Sequence, residues 1–339
     1  MKKKTAIIFG VTGQDGYYLS KLLLKKNYIV HGIKRRSSSV PTKRIEKFLN
    51  QKNFIVHYGD ITDTSSIQNL INIINPDEIY NLAAQSHVGV SFFTPLFTAN
   101  VNAIGVLAIL EAIKNHKKNI KFYQAGTSEM FGKAKDRFQS EKTEFNPQSP
   151  YGTAKVFAHF ITQNYRDAYN IFACNGILFN HESPHRGDNF VTKKIVSSLT
   201  KIKYRTQKQL VLGNLYAQRD WGHAADYVEA IYKILQQRRP DDYVIATGKK
   251  LTIKQFVNLT AKKLKIRLFW KGKGLNECAF DEKNKKIIKI DKKYFRPLEV
   301  DYLKGNASKA KKILKWKPKI SIDKLIDDMI DYEKKLIST

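Results

Sequence analysis

Thr5-Ala-Ile-Ile-Phe-Gly-Val-Thr-Gly-Gln-Asp-Gly-Tyr-Tyr-Leu19 is the stretch that decides the fold. Its first five residues form an apolar run typical of a buried strand. Three glycines follow at three-residue spacing, Gly10, Gly13 and Gly16, and after them leucines recur on one face at the helical period. An ordinary glycine-rich turn would carry the same triplet. The strand before it and the helix after it favour the phosphate-binding half of a βαβ unit, whose helix N-terminus attracts negative charge.

The rest of the chain continues the alternation of strands and helices. Strands are predicted over 28–33, 53–57, 78–82, 120–124 and 170–179, and helices over about 62–74, 95–114 and 151–169. This order predicts an α/β fold, a doubly wound parallel sheet of the Rossmann type with a smaller C-terminal substrate lobe. The predicted dinucleotide-binding domain is 1–180 with returning segments at about 214–246, and the lobe is 181–213 with 247–339. No element is predicted for 271–293.

Composition narrows the class of protein. The 339 residues are 42% hydrophobic, and 60 Lys and Arg against 30 Asp and Glu give a formal net charge of +30. The lysines are scattered rather than gathered in a tail, so a solvated basic surface is favoured over specific nucleic-acid binding. No uncharged apolar run approaches the roughly 18 residues of a membrane span, and none is expected. Two cysteines, Cys174 and Cys278, indicate a reducing, cytoplasmic location.

The end of the second predicted strand indicates which dinucleotide is bound. Folds selective for NAD place an acid there, which accepts a hydrogen bond from the ribose 2′-hydroxyl. This chain instead has Lys34-Arg35-Arg36-Ser37, whose guanidiniums and hydroxyl suit a 2′-phosphate. A solvated basic turn is the alternative, and NADP is the prediction. Asp60, after the third strand, is a candidate acceptor for the adenine amino group, and Ala83, Ala84 and Ser86 leave room for the cofactor.

The candidate catalytic residues follow the fifth strand. Thr127 and Glu129 stand two residues apart at its end, where ligands of such sheets bind. Tyr151 and Lys155 are at i and i+4 and share one face of the next predicted helix. An ammonium beside a phenol favours the phenolate and lowers the pKa of the tyrosine. The pair therefore predicts a base that takes a hydroxyl proton during hydride transfer. No metal site is predicted.

A family resemblance rests on motifs spread over nearly the whole chain. They are Gly-Val-Thr-Gly-Gln-Asp-Gly (10–16), His-Gly-Ile-Lys-Arg-Arg-Ser-Ser (31–38), Asn-Leu-Ala-Ala-Gln-Ser-His-Val (81–88), Thr-Ser-Glu (127–129), Ser-Pro-Tyr-Gly-Thr-Ala-Lys (149–155), Asn-His-Glu-Ser-Pro (180–184), Arg-Asp-Trp-Gly-His-Ala (219–224) and Arg-Pro-Leu-Glu-Val-Asp (296–301). The chain resembles the GDP-mannose 4,6-dehydratases, which are extended short-chain dehydrogenases/reductases.

The resemblance implies a reaction and a role for each residue. Hydride would leave C4 of the hexose as Tyr151 takes the O4 proton, and would later add to C6 of the same sugar. Thr127 would polarise the C4 oxygen, Glu129 would remove the C5 proton, and Lys155 would hold Tyr151 and the nicotinamide ribose. With Ser128 where dTDP-glucose dehydratases carry Asp, Glu129 would serve both proton transfers. Dimers or tetramers of the chain are also implied.

The complete set of predicted binding residues combines both lines of reasoning. The predicted cofactor contacts are Gly10, Thr12, Gly13, Gln14, Asp15, Gly16, Arg35, Arg36, Ser37, Asp60, Ile61, Leu82, Ala83, Ala84, Gln85, Ser86, Lys155, His181 and Arg186. The predicted contacts to the GDP-sugar are Ser86, Ser128, Asn180, Lys194, Gly213, Arg219, Arg296 and Glu299.

Departures from the family pattern keep alternatives open. Gly126, Lys193 and Phe97 stand where Ser, Arg and Tyr are expected, and 271–293 match poorly. A GDP-manno-heptose 4,6-dehydratase would use the same chemistry on a sugar with one more carbon. A nucleotide-sugar epimerase or reductase would share the fold, but epimerisation at C4 needs no base such as Glu129.

Overall fold

The protein is described here by a computed structural model covering residues 3–38 and 42–338. Its strands are β1 (Thr5–Phe9), β2 (Ile29–Lys34), β3 (Phe54–Tyr58), β4 (Glu78–Asn81), β5 (Lys121–Thr127), β6 (Ala173–Leu178), β7 (Asn180–Glu182), β8 (Leu210–Leu212), β9 (Gln218–Arg219), β10 (Trp221–His223), β11 (Tyr243–Ile245), β12 (Leu251–Thr252), β13 (Phe269–Lys271), β14 (Cys278–Phe280) and β15 (Lys286–Ile290).

The helices lie between these strands. They are α1 (Gln14–Lys25), α2 (Thr64–Ile74), α3 (Val88–Ser91), α4 (Pro95–Ala99), α5 (Gly105–Lys114), α6 (Pro150–Tyr169), α7 (Val191–Lys203), α8 (Ala224–Leu235), α9 (Ile253–Lys263), α10 (Ser308–Ile313) and α11 (Ile322–Ser338). Helix α1 begins at Gln14, three residues earlier than the leucine pattern predicts, so Gly16 lies inside its first turn.

The main sheet confirms the predicted fold class. Seven parallel strands lie in the order β11-β6-β5-β4-β1-β2-β3. Helices α1 and α8 cover one face, and α2, α5 and α6 cover the other. Strand order reverses beside β1, because β2 lies on one side of it and β4 on the other. A crevice therefore opens at the carboxyl ends of these strands, where open α/β sheets bind ligands.

A second hydrophobic core lies between α7, α9 and α11 and a small sheet of order β13-β14-β15-β8. No element was predicted for the Lys-rich stretch 271–293. Strands β14 and β15 lie within it, and β13 lies at its edge. Residues Val300 to Trp316 pack partly into the core of the main sheet rather than into this one. The proposed division into two domains stays a prediction.

The long apolar helix predicted over 95–114 has an irregular centre. Asn100–Ile104 forms a π-helical segment between α4 and α5. Within it, Asn102 is fully buried, accepts a hydrogen bond from Gln85 N at 2.9 Å and donates one to Gln85 O at 2.9 Å. The 20 residues, at a mean hydropathy of 1.8, would suffice for a membrane span by length and composition, but 56% of the most apolar window is buried. Packing against α2 and α6 explains this hydropathy as that of a core helix.

Candidate functional site

A cleft of about 1060 Å³ lies at the carboxyl ends of the main strands, between the two hydrophobic cores. It brings together most of the predicted site, from both ends of the chain. The predicted residues that line it are Gly10, Gly13, Gln14, Asp15, Gly16, Leu82, Ala84, Ser86, Thr127, Ser128, Glu129, Tyr151, Lys155, Asn180, His181, Arg186, Lys194, Gly213, Arg219, Arg296 and Glu299.

The glycine-rich turn forms one wall of the cleft and is packed too tightly for side chains. Gly10 has a φ of +78°, and a Cβ atom there would lie 2.8 Å from Ala83 N. A Cβ atom at Gly16 would lie 2.4 Å from Val11 O. Both positions therefore require glycine. The first turn of α1 is thus drawn against the turn, with its free N–H groups at the cleft, an arrangement that suits an anionic group.

Asp15 and His181 form an ion pair that sequence reasoning did not foresee. His181 Nε2 lies 2.8 Å from Asp15 Oδ2, and His181 Nδ1 lies 2.8 Å from Phe179 O. Burial lowers the pKa of His181, but Asp15 outweighs it, so this pKa is raised. Burial raises the pKa of Asp15, and His181 with Arg186 outweighs that effect, so this pKa is lowered. Both of its partners are acceptors, which favours the imidazolium form of His181, in agreement with the raised pKa.

Gln14 joins the same two segments a second time. Its Nε2 donates to His181 O at 3.0 Å, and its Oε1 accepts from Ser183 Oγ at 2.7 Å. Both Gln14 and Asp15 were predicted as cofactor contacts. They line the cleft, and their side chains also fasten the start of α1 to the segment that follows β6.

Tyr151 is placed by the start of α6. Ser149 caps this helix by accepting from Gly152 N at 3.0 Å, and Pro150 occupies the first helical position. The cap fixes Tyr151 in the first turn, where its side chain is buried and lines the cleft. Thr127, at the end of β5, lies close enough to influence its pKa.

The expected lowering of the Tyr151 pKa is wrong for the ligand-free protein. Burial raises the pKa of Tyr151 to about 12, against a smaller opposing effect of the Thr127 hydrogen bond. Lys155 Nζ donates to Ala125 O at 2.8 Å, and burial lowers the pKa of Lys155 to about 8. The helical spacing places the two side chains on one face, as predicted. It could not show how strongly the site removes both of them from water.

Glu129 belongs to a short 3₁₀ turn, Ser128–Met130, and not to the strand end itself. Thr127 caps this turn by accepting from Glu129 N at 3.2 Å. The carboxylate is largely buried and lies 3.4 Å from Arg296 Nη1. The predicted C5 base and a predicted substrate contact are thus an ion pair.

The opposite wall of the cleft carries the other predicted contacts to the sugar nucleotide. Arg219 Nη2 lies 3.4 Å from Glu299 Oε1, and Lys194 Nζ lies 3.6 Å from the centre of the Tyr294 ring. Asn180 Oδ1 is buried and has no hydrogen-bond partner among residues 3–38 and 42–338. Asn180 precedes His181 in β7 and so belongs to the main-sheet side of the cleft. The opposite wall carries three cations, Lys194, Arg219 and Arg296, a set that suits an anionic ligand.

Some predicted cofactor residues do not line this cleft. Three of them, Arg35, Arg36 and Ser37, are exposed at the end of β2. The other predicted cofactor residues outside the cleft are Thr12, Asp60, Ile61, Ala83 and Gln85. Asp60 Oδ1 accepts from Thr62 N at 2.9 Å and from Thr62 Oγ1 at 2.8 Å. Ala83 and Gln85 nevertheless adjoin the cleft, because Ala83 closely approaches Gly10 and Gln85 lies between the lining residues Ala84 and Ser86. Their roles stay predictions.

Sequence reasoning missed Arg44, which lines the cleft beside the glycine turn. It lies after β2 in a segment with no strand or helix pattern, and only its charge distinguishes it there. Phe190, Tyr294 and Phe295 were also missed as lining residues, because isolated aromatic residues in loops give no periodic signal. Phe97, where the family pattern suggests Tyr, is half-exposed and outside the cleft.

The fold and the site define a class of protein. A parallel sheet with a glycine turn at β1, a Thr at the end of β5 and a Tyr-x-x-x-Lys helix are the features of an extended short-chain dehydrogenase/reductase. The model of the family described as GDP-mannose 4,6 dehydratase matches residues 7–329. The chain belongs to this family.

Individual relatives agree with that assignment. The chain is 51% identical over 338 residues to GDP-mannose 4,6 dehydratase 2 of Caenorhabditis elegans, covering 97% of this chain and 88% of the relative. The structure of dTDP-glucose 4,6-dehydratase from Bacillus anthracis in complex with NAD has a TM-score of 0.81 at 22% identity, covering 98% of this chain and 97% of that one. RMD from Pseudomonas aeruginosa, complexed with NADPH, has a TM-score of 0.77 at 18% identity, covering 98% and 100%. These two structures support the fold.

Proposed function

We propose that this protein is an NADP-dependent hydro-lyase that converts GDP-D-mannose to GDP-4-keto-6-deoxy-D-mannose. The observation that carries the proposal is the convergence of Thr127, Glu129, Tyr151 and Lys155 in one cleft beside the glycine turn. The Tyr and Lys pair alone would serve a reductase or an epimerase. Glu129 adds a carboxylate within the same cleft, and a dehydratase needs such a base at C5 of the sugar.

The cleft fits a dinucleotide on the side of the main sheet. The close approach at Gly10 and the N-terminus of α1 suit a pyrophosphate, and Lys155 and Arg186 would lie along the remainder. The preference for NADP rests on Arg35 and Arg36, which are exposed and form no ion pair with any residue of 3–38 or 42–338. The bound nicotinamide supplies the hydride acceptor at C4 and later the donor at C6.

The residues of the chain carry the proton transfers. Tyr151 must be a phenolate to accept the O4 proton as C4 is oxidised. Burial raises its pKa against that form, and the charge of Arg186 favours it. Thr127 donates a hydrogen bond to the same oxygen. The C5 proton is acidic only after C4 has become a ketone, so Glu129 acts second. It removes that proton and delivers it to the departing C6 hydroxyl, which leaves as water. Once hydride has added to C6, C5 takes up a proton, and release of the O4 proton from Tyr151 balances that uptake. Burial of the site excludes water that would compete for these protons.

One incubation tests the reaction. Purified protein with GDP-mannose should give a 4-keto-6-deoxy product without net consumption of NADP, followed by mass spectrometry and NMR. Glu129→Gln keeps the size of the side chain and loses the base, so dehydration should fall by about 10²–10⁴-fold. A normal rate in Glu129→Gln would refute the role of Glu129. If the protein leaves GDP-mannose unchanged but dehydrates GDP-manno-heptose, the proposed reaction stands and the proposed sugar is wrong.

A second experiment tests the cofactor. The wild-type protein should bind NADP much more tightly than NAD, measured by calorimetry. Replacing Arg35 and Arg36 together by Ala should remove most of that difference while leaving the affinity for NAD unchanged, since only the 2′-phosphate is lost as a partner. Equal affinity of the wild type for both dinucleotides would contradict the assignment to NADP.

We also propose that the protein works as a homodimer or homotetramer. Helices α4 and α6 and the π-helical segment pack together, and Leu96, Ile104, Phe157 and Phe160 on them are exposed. Large exposed apolar side chains of this kind suit an interaction surface, and a second copy would cover them. A monomer in sedimentation at micromolar concentration would overturn this. The cytoplasmic location stays a prediction that rests on cysteine use.

A further inference from the structure

Arg44 connects two segments of the cleft wall that are far apart in the sequence. Its Nε donates to His185 O at 2.9 Å, and its Nη1 donates to Thr12 O at 3.1 Å. Thr12 belongs to the glycine turn, and His185 immediately precedes Arg186, a predicted cofactor contact. The guanidinium itself lines the cleft.

The same loop is held from its other side by the second core. Lys193 of α7 donates to Pro184 O at 3.0 Å and forms a buried ion pair with Glu333 of α11. The carbonyls of Pro184 and His185 are therefore bonded to cations that come from opposite sides of the cleft. The His185 ring also packs on Tyr17 of α1, with ring centres 4.1 Å apart.

The chemistry of arginine suits this bridge. Two different nitrogens of one planar group reach two carbonyl oxygens at once, which a lysine, with a single nitrogen at the end of a flexible stem, does not reproduce. The two bonds hold the loop that carries Arg186 at a fixed distance from the glycine turn, where a pyrophosphate would lie. Breaking the bridge removes the tie at His185 and leaves those that side chains of α1 make to His181 and Ser183.

We propose that Arg44 is a positioning residue that keeps the dinucleotide cleft closed and thereby slows release of the bound cofactor. The inference rests on the proposed function only in requiring that a dinucleotide occupies this cleft. Arg44 bonds to backbone carbonyls of the glycine turn and the His185 loop, and lies apart from the exposed Arg35 and Arg36. It therefore affects NADP and NAD equally.

The test measures release of the cofactor without any sugar substrate. Protein loaded with NADPH is mixed with excess NADP in a stopped-flow instrument, and the loss of NADPH fluorescence gives the dissociation rate. Two hydrogen bonds at about 1 kcal/mol each predict a rise of roughly 10–30-fold for Arg44→Met. The dissociation rate of Arg44→Lys should remain within about threefold of that of Arg44→Met, because lysine has the charge but not the two nitrogens that reach both carbonyls.

Lys47→Met is the matched control. Lys47 lies in the same short segment and contacts Tyr17, so its removal deletes one neighbouring charge and leaves both carbonyl bonds intact. Its dissociation rate should stay within about twofold of wild type, as for an exposed charge. Equilibrium titrations with NADP and NAD should show the same loss of affinity for both in Arg44→Met.

Each contrary result has a distinct meaning. A wild-type rate of NADPH dissociation in Arg44→Met or in Arg44→Lys would refute the proposed role of the bridge. A loss of affinity for NADP alone would indicate that Arg44 contacts the 2′-phosphate, and it would refute that role as well. If circular dichroism shows Arg44→Met to be unfolded, Arg44→Lys and Arg44→Gln carry the same comparison. A wild-type protein that binds neither dinucleotide would refute the proposed function itself, and with it this assignment.

Discussion

The two walls of the cleft differ in how their polar side chains are already bonded. On the wall of the main sheet, Gln14, Asp15 and His181 form a network of bonds between 2.7 and 3.2 Å. On the opposite wall, Arg219 and Arg296 reach their carboxylate partners only at 3.4 Å. The polar side chains of the first wall are bonded mainly to one another at short distances, whereas the cations of the second have only long ion pairs.

This difference matches two different demands of the proposed reaction. A cofactor that is reduced and reoxidised within one turnover should remain bound, so its wall benefits from being rigid beforehand. A sugar nucleotide must enter and leave in every cycle, and loosely paired cations can exchange a carboxylate for a diphosphate at low cost. The Glu129–Arg296 contact is one such exchangeable pair.

The largest effect is expected from removing a cation of the wall opposite the main sheet, where the sugar nucleotide is proposed to bind. In Arg296→Met, the diphosphate loses a cation within a mostly desolvated cleft, a loss of about 2–5 kcal/mol in comparable charge pairs. The specificity constant for GDP-mannose should therefore fall by about 30-fold to 4000-fold, measured by initial rates. Arg296→Lys should recover part of it. If NADP affinity falls as much as the specificity constant, the two walls are not independent.

A smaller effect is expected from the cofactor wall, and it depends on pH. Asp15→Asn keeps a hydrogen bond to a neutral His181 but loses its charge, which should lower the free energy of unfolding by about 1–2 kcal/mol. Because the pKa of His181 is raised above its ordinary 6.5, the contribution of the pair is complete below 6.5 and disappears as pH rises through the folded value. Because the pKa of Asp15 is lowered from 3.8, its contribution is also lost as pH falls through that lowered value.

Denaturant titrations of wild type and Asp15→Asn at a series of pH values check this. The difference in unfolding free energy should be largest between about pH 4 and 6.5 and should shrink above it. Asp60→Asn, at an exposed turn of the same face, is the control and should show no such window. A difference that grows above pH 7 would mean that His181 is neutral in the folded protein.

The smallest effect is expected at Glu299, whose carboxylate is partly exposed. Glu299→Gln removes the long contact with Arg219 and should change stability by less than about 1 kcal/mol, since such pairs contribute little. The KM for the sugar nucleotide should change by less than about fivefold, which corresponds to a similar free energy. Thermal unfolding and initial rates measure the two. A large loss of stability would show that this wall is as tightly built as the other.

Local patterns predicted the elements of the fold and the positions of the catalytic candidates. The glycine turn, the strand before it and the spacing of Tyr151 and Lys155 are properties of adjacent residues, so the sequence displays them directly. The Asp15–His181 and Glu129–Arg296 pairs join residues far apart in the chain, and no spacing rule reaches them. The pKa of Tyr151 was predicted in the wrong direction because burial depends on the whole fold. The strands within 271–293 escaped prediction because three to five residues rich in lysine carry no clear period.

The π-helical segment has a consequence for the loop after β4. Asn102 faces Gln85 with one donor and one acceptor, so its amide copies a peptide group and exchanges two hydrogen bonds as opposed residues of an antiparallel ladder do. An aspartate has the same shape, but it would accept from Gln85 N–H and turn its second oxygen toward Gln85 carbonyl. A leucine would fill the space and leave both groups of Gln85 without partners. The conformation of the loop after β4 therefore depends on one buried amide. Deamidation of Asn102 to Asp would replace the hydrogen bond to Gln85 O by repulsion between two oxygen atoms.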